Sequence, residues 1–265
     1  MKKYLVIGNP IGHSLSPLIH NYWMKKHGLL DSIYEKRRVE EKNLNKIVED
    51  IKNDKIAGVN VTVPFKKLII KFLDKLDSTA EKTESVNTLL KENNKIIGYN
   101  TDQLGFGLTI RELFPHQVEN KMASTLQGKN IFILGSGGVT SSIIDVLENE
   151  NVNIFLSNRT KKKAEELKNK YSKIEILDWG KRPEICDIVI NTTSIGLTEN
   201  EKIKIDFNNC KKDKNKLFYD LIYNPKETNF LKEARLRGNK TMNGQMMFLS
   251  QAKYAFKLWT NITPD

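Results

Sequence analysis

Apolar positions along this chain fall in short runs closed by glycine, proline or asparagine, separated by longer stretches in which they recur at helical spacing. The run Tyr4-Leu5-Val6-Ile7-Gly8 predicts a strand. It enters a turn, Asn9-Pro10-Ile11-Gly12-His13-Ser14-Leu15-Ser16-Pro17, in which Ser16-Pro17 supplies a capping hydroxyl and an N1 proline for an amphipathic helix through about His27. Residues 58–63 read as a short apolar strand stopped by Pro64, which leaves Lys66 where strand gives way to loop or helix. Residues 84–89 and 98–102 each carry an Asn-Thr pair beside a short β-type run. In the second half, the strand at 129–134 runs into Gly135-Ser136-Gly137-Gly138-Val139-Thr140 and a helix over 141–148. A second strand at 153–157 ends at Asn158-Arg159-Thr160, ahead of three lysines. Apolar strands at 187–190 and 217–222 end in polar turns, and residues 243–259 predict a long amphipathic helix with Met247, Phe248, Tyr254, Ala255, Leu258 and Trp259 available for packing.

Alternation of strand and helix makes the chain α/β, and 265 residues suffice for two cores. Composition narrows the partners. There are 43 Lys and Arg against 32 Asp and Glu, a net charge of +11. The basic residues are spread along the chain and dominated by lysine, which argues against a nucleic-acid surface and leaves a field that attracts small anions. No run reaches membrane length and no signal peptide is visible, so a cytoplasmic location is expected. Cys186 and Cys210 are too few for a disulfide scaffold, and His13, His20, His27 and His116 lack zinc-like spacing, so no metal site is expected.

Candidate chemistry collects where strands end. Read alone, Lys66 is first a solvated surface lysine, Ser14 and Ser16 are turn and cap residues before they are a hydroxyl pair, and either Asn-Thr pair is first a turn former. Glycines after the strand at 129–134 permit a tight turn and let backbone N–H groups approach a pyrophosphate at a helix N-terminus; the other reading is a Rossmann-like turn that binds nothing. After the second strand an NAD-specific site places an acid for the ribose 2′-hydroxyl. This chain has none there and offers Arg159 and Thr160 instead, which favours NADP unless the segment is only a solvated helix start.

NPIGHSLSP (9–17), NVTVPFKK (60–67), SVNTL (85–89), NTD (100–102) and the later segments resemble the shikimate dehydrogenase family, in order, from about Lys3 to Asp265. The resemblance implies reversible reduction of 3-dehydroshikimate to shikimate by NADPH, a step of aromatic amino-acid biosynthesis. By motif position it puts the acid/base lysine on Lys66, its partner carboxylate on Asp102, and shikimate-binding groups on Ser14, Ser16, Thr62, Asn87, Tyr223 and Gln251. Cofactor contacts fall on Gly135, Ser136, Gly137, Gly138, Val139, Asn158, Arg159, Thr160, Lys163, Thr193, Leu221 and Gly244. Residues 1–104 would form a substrate-binding α/β domain, 105–239 a Rossmann-type NADP-binding domain, and 240–265 a helix returning to the first, with the active site in the cleft between domains. The partner is a small molecule, with neither nucleic acid nor membrane; a homodimer is left open. The chain departs from the family at Gln103 and Met246, where glycine is common, and at Lys163, where a second arginine is frequent.

Reduction of a ketone by hydride builds negative charge on the carbonyl oxygen, so a donor must sit there and a proton must follow. A protonated lysine does both, and an aspartate beside it favours and orients the ammonium. Two other readings stay open: an NAD-dependent quinate/shikimate dehydrogenase, against which the Asn158-Arg159-Thr160 turn speaks, and a silent shikimate-binding regulator, which would need no Lys66-Asp102 pair.

Overall fold

The computed structural model of the chain describes residues 1–114, 126–198, 200–203, 205 and 216–265; His116 and Cys210 lie outside them. Two compact units emerge, one formed by Met1–Gly105 with Leu249–Asp265 and the other by Phe106–Phe248.

The first half of the chain runs β1 (Lys2–Gly8), α1 (Ser16–Lys26), β2 (Ser32–Arg38), α2 (Leu44–Lys52), β3 (Gly58–Val61), β4 (Lys75–Leu76), α3 (Ser78–Thr83), β5 (Thr88–Glu92), β6 (Lys95–Tyr99) and α4 (Thr101–Leu113). Its sheet has the order β2-β1-β3-β5-β6-β4. β1 pairs in parallel with β2 and β3, whereas β3–β5 and β5–β6 are antiparallel. β5 and β6 form a hairpin through Asn93 and Asn94, both at positive φ, the backbone a two-residue turn demands. Leu44, Ile47, Val48 and Ile51 line one face of α2 and bury it on one side of the sheet. On the other side pack Tyr4, Trp23, Tyr34, Ala252 and Phe256.

The second half runs β7 (Asn130–Leu134), α5 (Gly138–Glu148), β8 (Asn153–Ser157), α6 (Lys161–Lys170), β9 (Ile174–Leu177), β10 (Ile188–Asn191), β11 (Leu217–Asp220), α7 (Asn229–Leu236), β12 (Lys240–Met242) and α8 (Gln245–Thr260). Every strand pair is parallel and the order is β12-β11-β10-β7-β8-β9, the doubly wound Rossmann arrangement. Its central strands are mainly apolar because helices cover both faces: β10 is buried along its whole length, and Ile131, Ile143 and Ile190 meet in one core while Phe132, Val189 and Phe218 meet in another.

The α/β expectation and the Rossmann-type second sheet are both met. Two local readings are corrected. Helix α1 begins at Ser16, with Leu15 as its cap and no capping side chain, so the Ser16 hydroxyl lies one position past the cap. Helix α5 starts at Gly138 rather than 141, because Gly137 already serves as an extended N-cap. Thr160 stands at the start of α6 without a side-chain capping bond.

Candidate active site

Topology carries the first unit's candidate residues to one edge of its sheet. β1 and β3 are parallel neighbours with Ile7 opposite Val61, so the segments that follow them, with Ser14 and the α1 residue Ser16 after one and Thr62 and Lys66 after the other, leave the same edge. β5 runs against β3 with Thr88 opposite Asn60, which brings Asn87, just before the strand, to that edge. β6 runs against β5 with Tyr99 opposite Thr88, and Thr101 and Asp102 follow it.

The turn holding Lys66 is pinned on both sides. Phe65 is buried in the core and its N–H donates to the Thr62 carbonyl, while the Lys66 carbonyl accepts from Val86 N–H at 2.9 Å. The Lys66 side chain reaches Asp102, with Nζ 2.5 Å from Oδ2 and side-chain exposures of only 13% and 8%. A pair so shielded keeps its geometry, since little water competes for either partner. Asp102 is placed by the start of α4. Asn100 accepts from the backbone N–H of Asp102 at 3.0 Å and of Gln103 at 3.3 Å, and its amide donates to Thr83 Oγ1 at 2.7 Å and the Ser85 carbonyl at 2.9 Å. Asn87 Oδ1 accepts from Thr101 N–H at 2.9 Å. Two buried asparagines thus cap the helix that carries the carboxylate.

The remaining substrate-side candidates are uncharged hydrogen-bonding groups. Asn87 Nδ2 donates to Thr101 Oγ1 at 2.9 Å and approaches Gln251 Oε1, from α8, at 3.5 Å. Ser14 and Ser16 are buried with their hydroxyls 3.2 Å apart. Thr62 is half-buried and its N–H donates to the Ile7 carbonyl. Tyr223 belongs to the second unit, where its ring stacks on Phe248 with centroids 4.3 Å apart. His13 is half-buried beside Ser14; burial and then the Lys36 cation hold its pKa below the ordinary value, so the ring is neutral near pH 7.

In the second unit, Gly135 leaves β7 at φ +107°, where a side chain would strike the Thr192 and Thr193 side chains. The Thr192 hydroxyl donates to the Leu134 carbonyl at 2.7 Å and lies 2.8 Å from the Thr140 hydroxyl, which locks the loop between β7 and α5. At Gly137 an added methyl would stand in open space, with no heavy atom from elsewhere in the chain within 4 Å. α5 has no capping side chain and no acidic residue in its first turn, and the buried Ser136 Oγ has no partner. Free N–H groups, room above a glycine and an unsatisfied hydroxyl fit the pyrophosphate of a dinucleotide. At the end of β8, Arg159, Thr160 and Lys163 are exposed, and Asn158 Nδ2 ties the turn to the Thr160 carbonyl at 2.8 Å. Thr193 is held by Asn191 Oδ1 at 2.7 Å. Asn191 Nδ2 and Thr228 Oγ1 in turn donate to the buried Asp220, at 2.9 and 2.6 Å. Leu221 follows directly, and a side chain at Gly244 would collide with the Leu221 carbonyl. Among the described residues no group of three His, Cys, Asp or Glu is placed to hold a metal.

The profile of the shikimate dehydrogenase substrate binding domain matches residues 6–89, and that of shikimate / quinate 5-dehydrogenase residues 117–233. A Pelagibacter ubique protein named shikimate dehydrogenase (NADP(+)) is 48% identical over 100% of this chain and 95% of its own. The chain belongs to the shikimate dehydrogenase family. The crystal structure of shikimate dehydrogenase from Aquifex aeolicus superposes with a TM-score of 0.87 at 36% identity, covering 100% of this chain and 94% of that one. That of the Thermus thermophilus enzyme in complex with NADP(H) and shikimate has a TM-score of 0.84 at 28% identity, covering 100% and 95%. Within the shikimate dehydrogenase family pattern, the departure at Gln103 leaves its N–H on the Asn100 cap, and Met246 sits half-buried in the first turn of α8. Residue-by-residue reading missed Asn60, Thr88, Asn100, Thr101 and Asp220 as parts of these networks, although the first four stand inside the quoted motifs and a buried polar residue at a strand end is their signal.

Proposed function

We propose that this chain catalyses the reversible NADPH-dependent reduction of 3-dehydroshikimate to shikimate. The observation that carries the proposal is the shielded Lys66–Asp102 pair at 2.5 Å, set among hydroxyl and amide groups at one sheet edge. It is supported by full-length relatives named shikimate dehydrogenase (NADP(+)).

NADPH, when bound, supplies the hydride. Lys66, as an ammonium, faces the ketone oxygen, stabilises the charge that develops there and delivers the proton that completes the alcohol. Asp102 holds Nζ in line; in the reverse direction Lys66 takes the proton back. Ser14 and Ser16 bind the substrate carboxylate end, while Thr62, Asn87, Gln251 and Tyr223 count its hydroxyls, which penalises analogues lacking one. The Gly135–Val139 backbone and Ser136 hold the pyrophosphate, Arg159 with Asn158, Thr160 and Lys163 holds the 2′-phosphate, and Thr193, Leu221 and Gly244 shape the nicotinamide end. The reaction is assigned to the cytoplasm, which cell fractionation checks, and the assembly, monomer or homodimer, is read by light scattering.

The test is oxidation of shikimate with NADP⁺, followed by absorbance. The wild type turns over, and Lys66→Ala lowers kcat by about 10²- to 10⁴-fold with a much smaller change in KM, because the proton transfer matters mainly in the transition state. An inactive wild type overturns the activity; a Lys66→Ala variant with most of its kcat overturns the role of the lysine.

A further inference from the structure

An asparagine side chain can present either its oxygen or its nitrogen to a ligand, and at Asn87 only one orientation turns Nδ2 toward Thr101 and Gln251. We infer that a buried chain of hydrogen bonds from Tyr34 through Asn60 and Thr88 fixes this orientation, which makes Thr88 a positioning residue for the substrate-binding asparagine. The inference rests on the reading of Asn87 as a ligand of shikimate.

Each link has a direction. The Asn87 main-chain carbonyl can only accept, so the Asn60 atom 3.1 Å from it is Nδ2. Asn60 Oδ1 therefore faces the Tyr34 hydroxyl, which donates to it at 2.6 Å. Asn60 Nδ2 also donates to Thr88 Oγ1 at 3.0 Å. Having accepted there, the Thr88 hydroxyl directs its proton to Asn87 Oδ1, 3.0 Å away. The same oxygen receives Thr101 N–H at 2.9 Å. With these donors on Oδ1, from which the Thr101 hydroxyl also lies 3.2 Å away, Nδ2 is left for Thr101 Oγ1 and Gln251 Oε1, at 2.9 and 3.5 Å. Asn60 and Thr88 are cross-strand partners in the sheet, so the chain is anchored on the most rigid part of the unit. Tyr34, Asn60 and Thr88 are 1%, 7% and 0% exposed. Thr88 therefore cannot touch a ligand, and any effect it has on one passes through Asn87.

Thr88→Val keeps the shape and removes the hydroxyl. It raises KM for shikimate about tenfold, the order of one buried hydrogen bond, and leaves KM for NADP⁺ unchanged. Thr88→Ser restores the wild-type KM. In an Asn87→Ala background the valine costs nothing further, since the group it positions is gone. Wild-type KM in Thr88→Val overturns the inference, and so does an equal loss in the Asn87→Ala background, which would mark Thr88 as general packing. Where Thr88→Val fails to fold, Tyr34→Phe replaces it: a KM raised about threefold is expected, and an unchanged KM overturns the inference. Asn87→Ala with wild-type KM for shikimate removes the ligand reading and this inference together, whereas an inactive wild type removes the proposed function alone, and the same variants are then compared by their Kd for shikimate from calorimetry, with the same shifts expected.

Discussion

Arg159 stands exposed where β8 ends, and neither Asn158 nor Thr160 beside it carries a negative charge. A 2′-phosphate brings about two negative charges to such a place, and a guanidinium meets it with paired donors that a hydroxyl cannot supply. Arg159→Asp is therefore expected to raise KM for NADP⁺ tenfold or more, on the order of 1.4 kcal/mol or above, and to leave KM for NAD⁺ far less changed. Steady-state rates with the two cofactors decide; equal losses would assign Arg159 to the fold or to the shared pyrophosphate. At this scale the sequence was most informative where chemistry and motif coincide. Lys66 and Asp102, 36 positions apart, do meet, because their two strand ends leave the same sheet edge. Asn100 and Thr101 were visible only as turn formers, since a side chain that caps one helix looks in sequence like any other turn asparagine or threonine.

Elements were legible by their periodicity and blurred at their ends. Strand β3 stops at Val61 rather than 63 because Thr62 and Phe65 already close a turn, and α5 absorbs Gly138 because its helix needs only an extended residue before it. Pairing direction was out of reach: β5 and β6 alternate the same way whether their neighbours run parallel or antiparallel, and the positive φ of Asn93 and Asn94 decides for a hairpin. Glycines were read for their freedom, while at Gly244 the need is space. A side chain there meets the Leu221 carbonyl, and Gly244 N–H bonds the Ile222 carbonyl at 3.1 Å, so β11's exit and the start of α8 are held at one spacing. Gly244→Ala must push them apart. Roughly 1–3 kcal/mol of overpacking strain is expected, seen as a fall of about 3 °C or more in Tm, with KM for NADP⁺ rising alongside; an unaltered Tm would mean that this contact yields freely.

For the whole molecule, one buried group in each unit answers acid with opposite sign. His20 is fully buried in the first unit, stacked on Tyr34 with centroids 4.3 Å apart and neither ring nitrogen hydrogen-bonded, and burial pushes its pKa down to about 3. A depressed histidine contributes stability that is whole above its unfolded value of 6.5 and is lost as pH falls toward 3. Asp220 is buried in the second unit, and burial, only partly offset by its hydrogen bonds from Thr228, Ile222 and Asn191, raises its pKa to about 6. A raised carboxylate contributes stability that is whole below 3.8 and lost as pH rises through 6. Between pH 7 and 5 the first unit should lose on the order of 2 kcal/mol and the second gain on the order of 1. Trp23 and Trp259 report the first unit and Trp179 the second, so urea unfolding at the two pH values, with His20→Phe and Asp220→Asn as controls, separates the effects. A first-unit midpoint that holds steady on acidification, or that falls as far in His20→Phe, would refute the assignment.

Trp259 lies against β3 at Gly58, where any side chain would collide with its indole, and Nε1 donates to the Leu89 carbonyl at 3.0 Å across 170 positions of sequence. The strand is bare at that point to receive a residue made long after it. On a ribosome adding about 5–20 residues per second, the whole of Phe106–Phe248 emerges between the strand and its cover. For a time on the order of ten seconds at that rate, the nascent chain carries a first sheet whose face at Gly58 still waits for the indole that covers it.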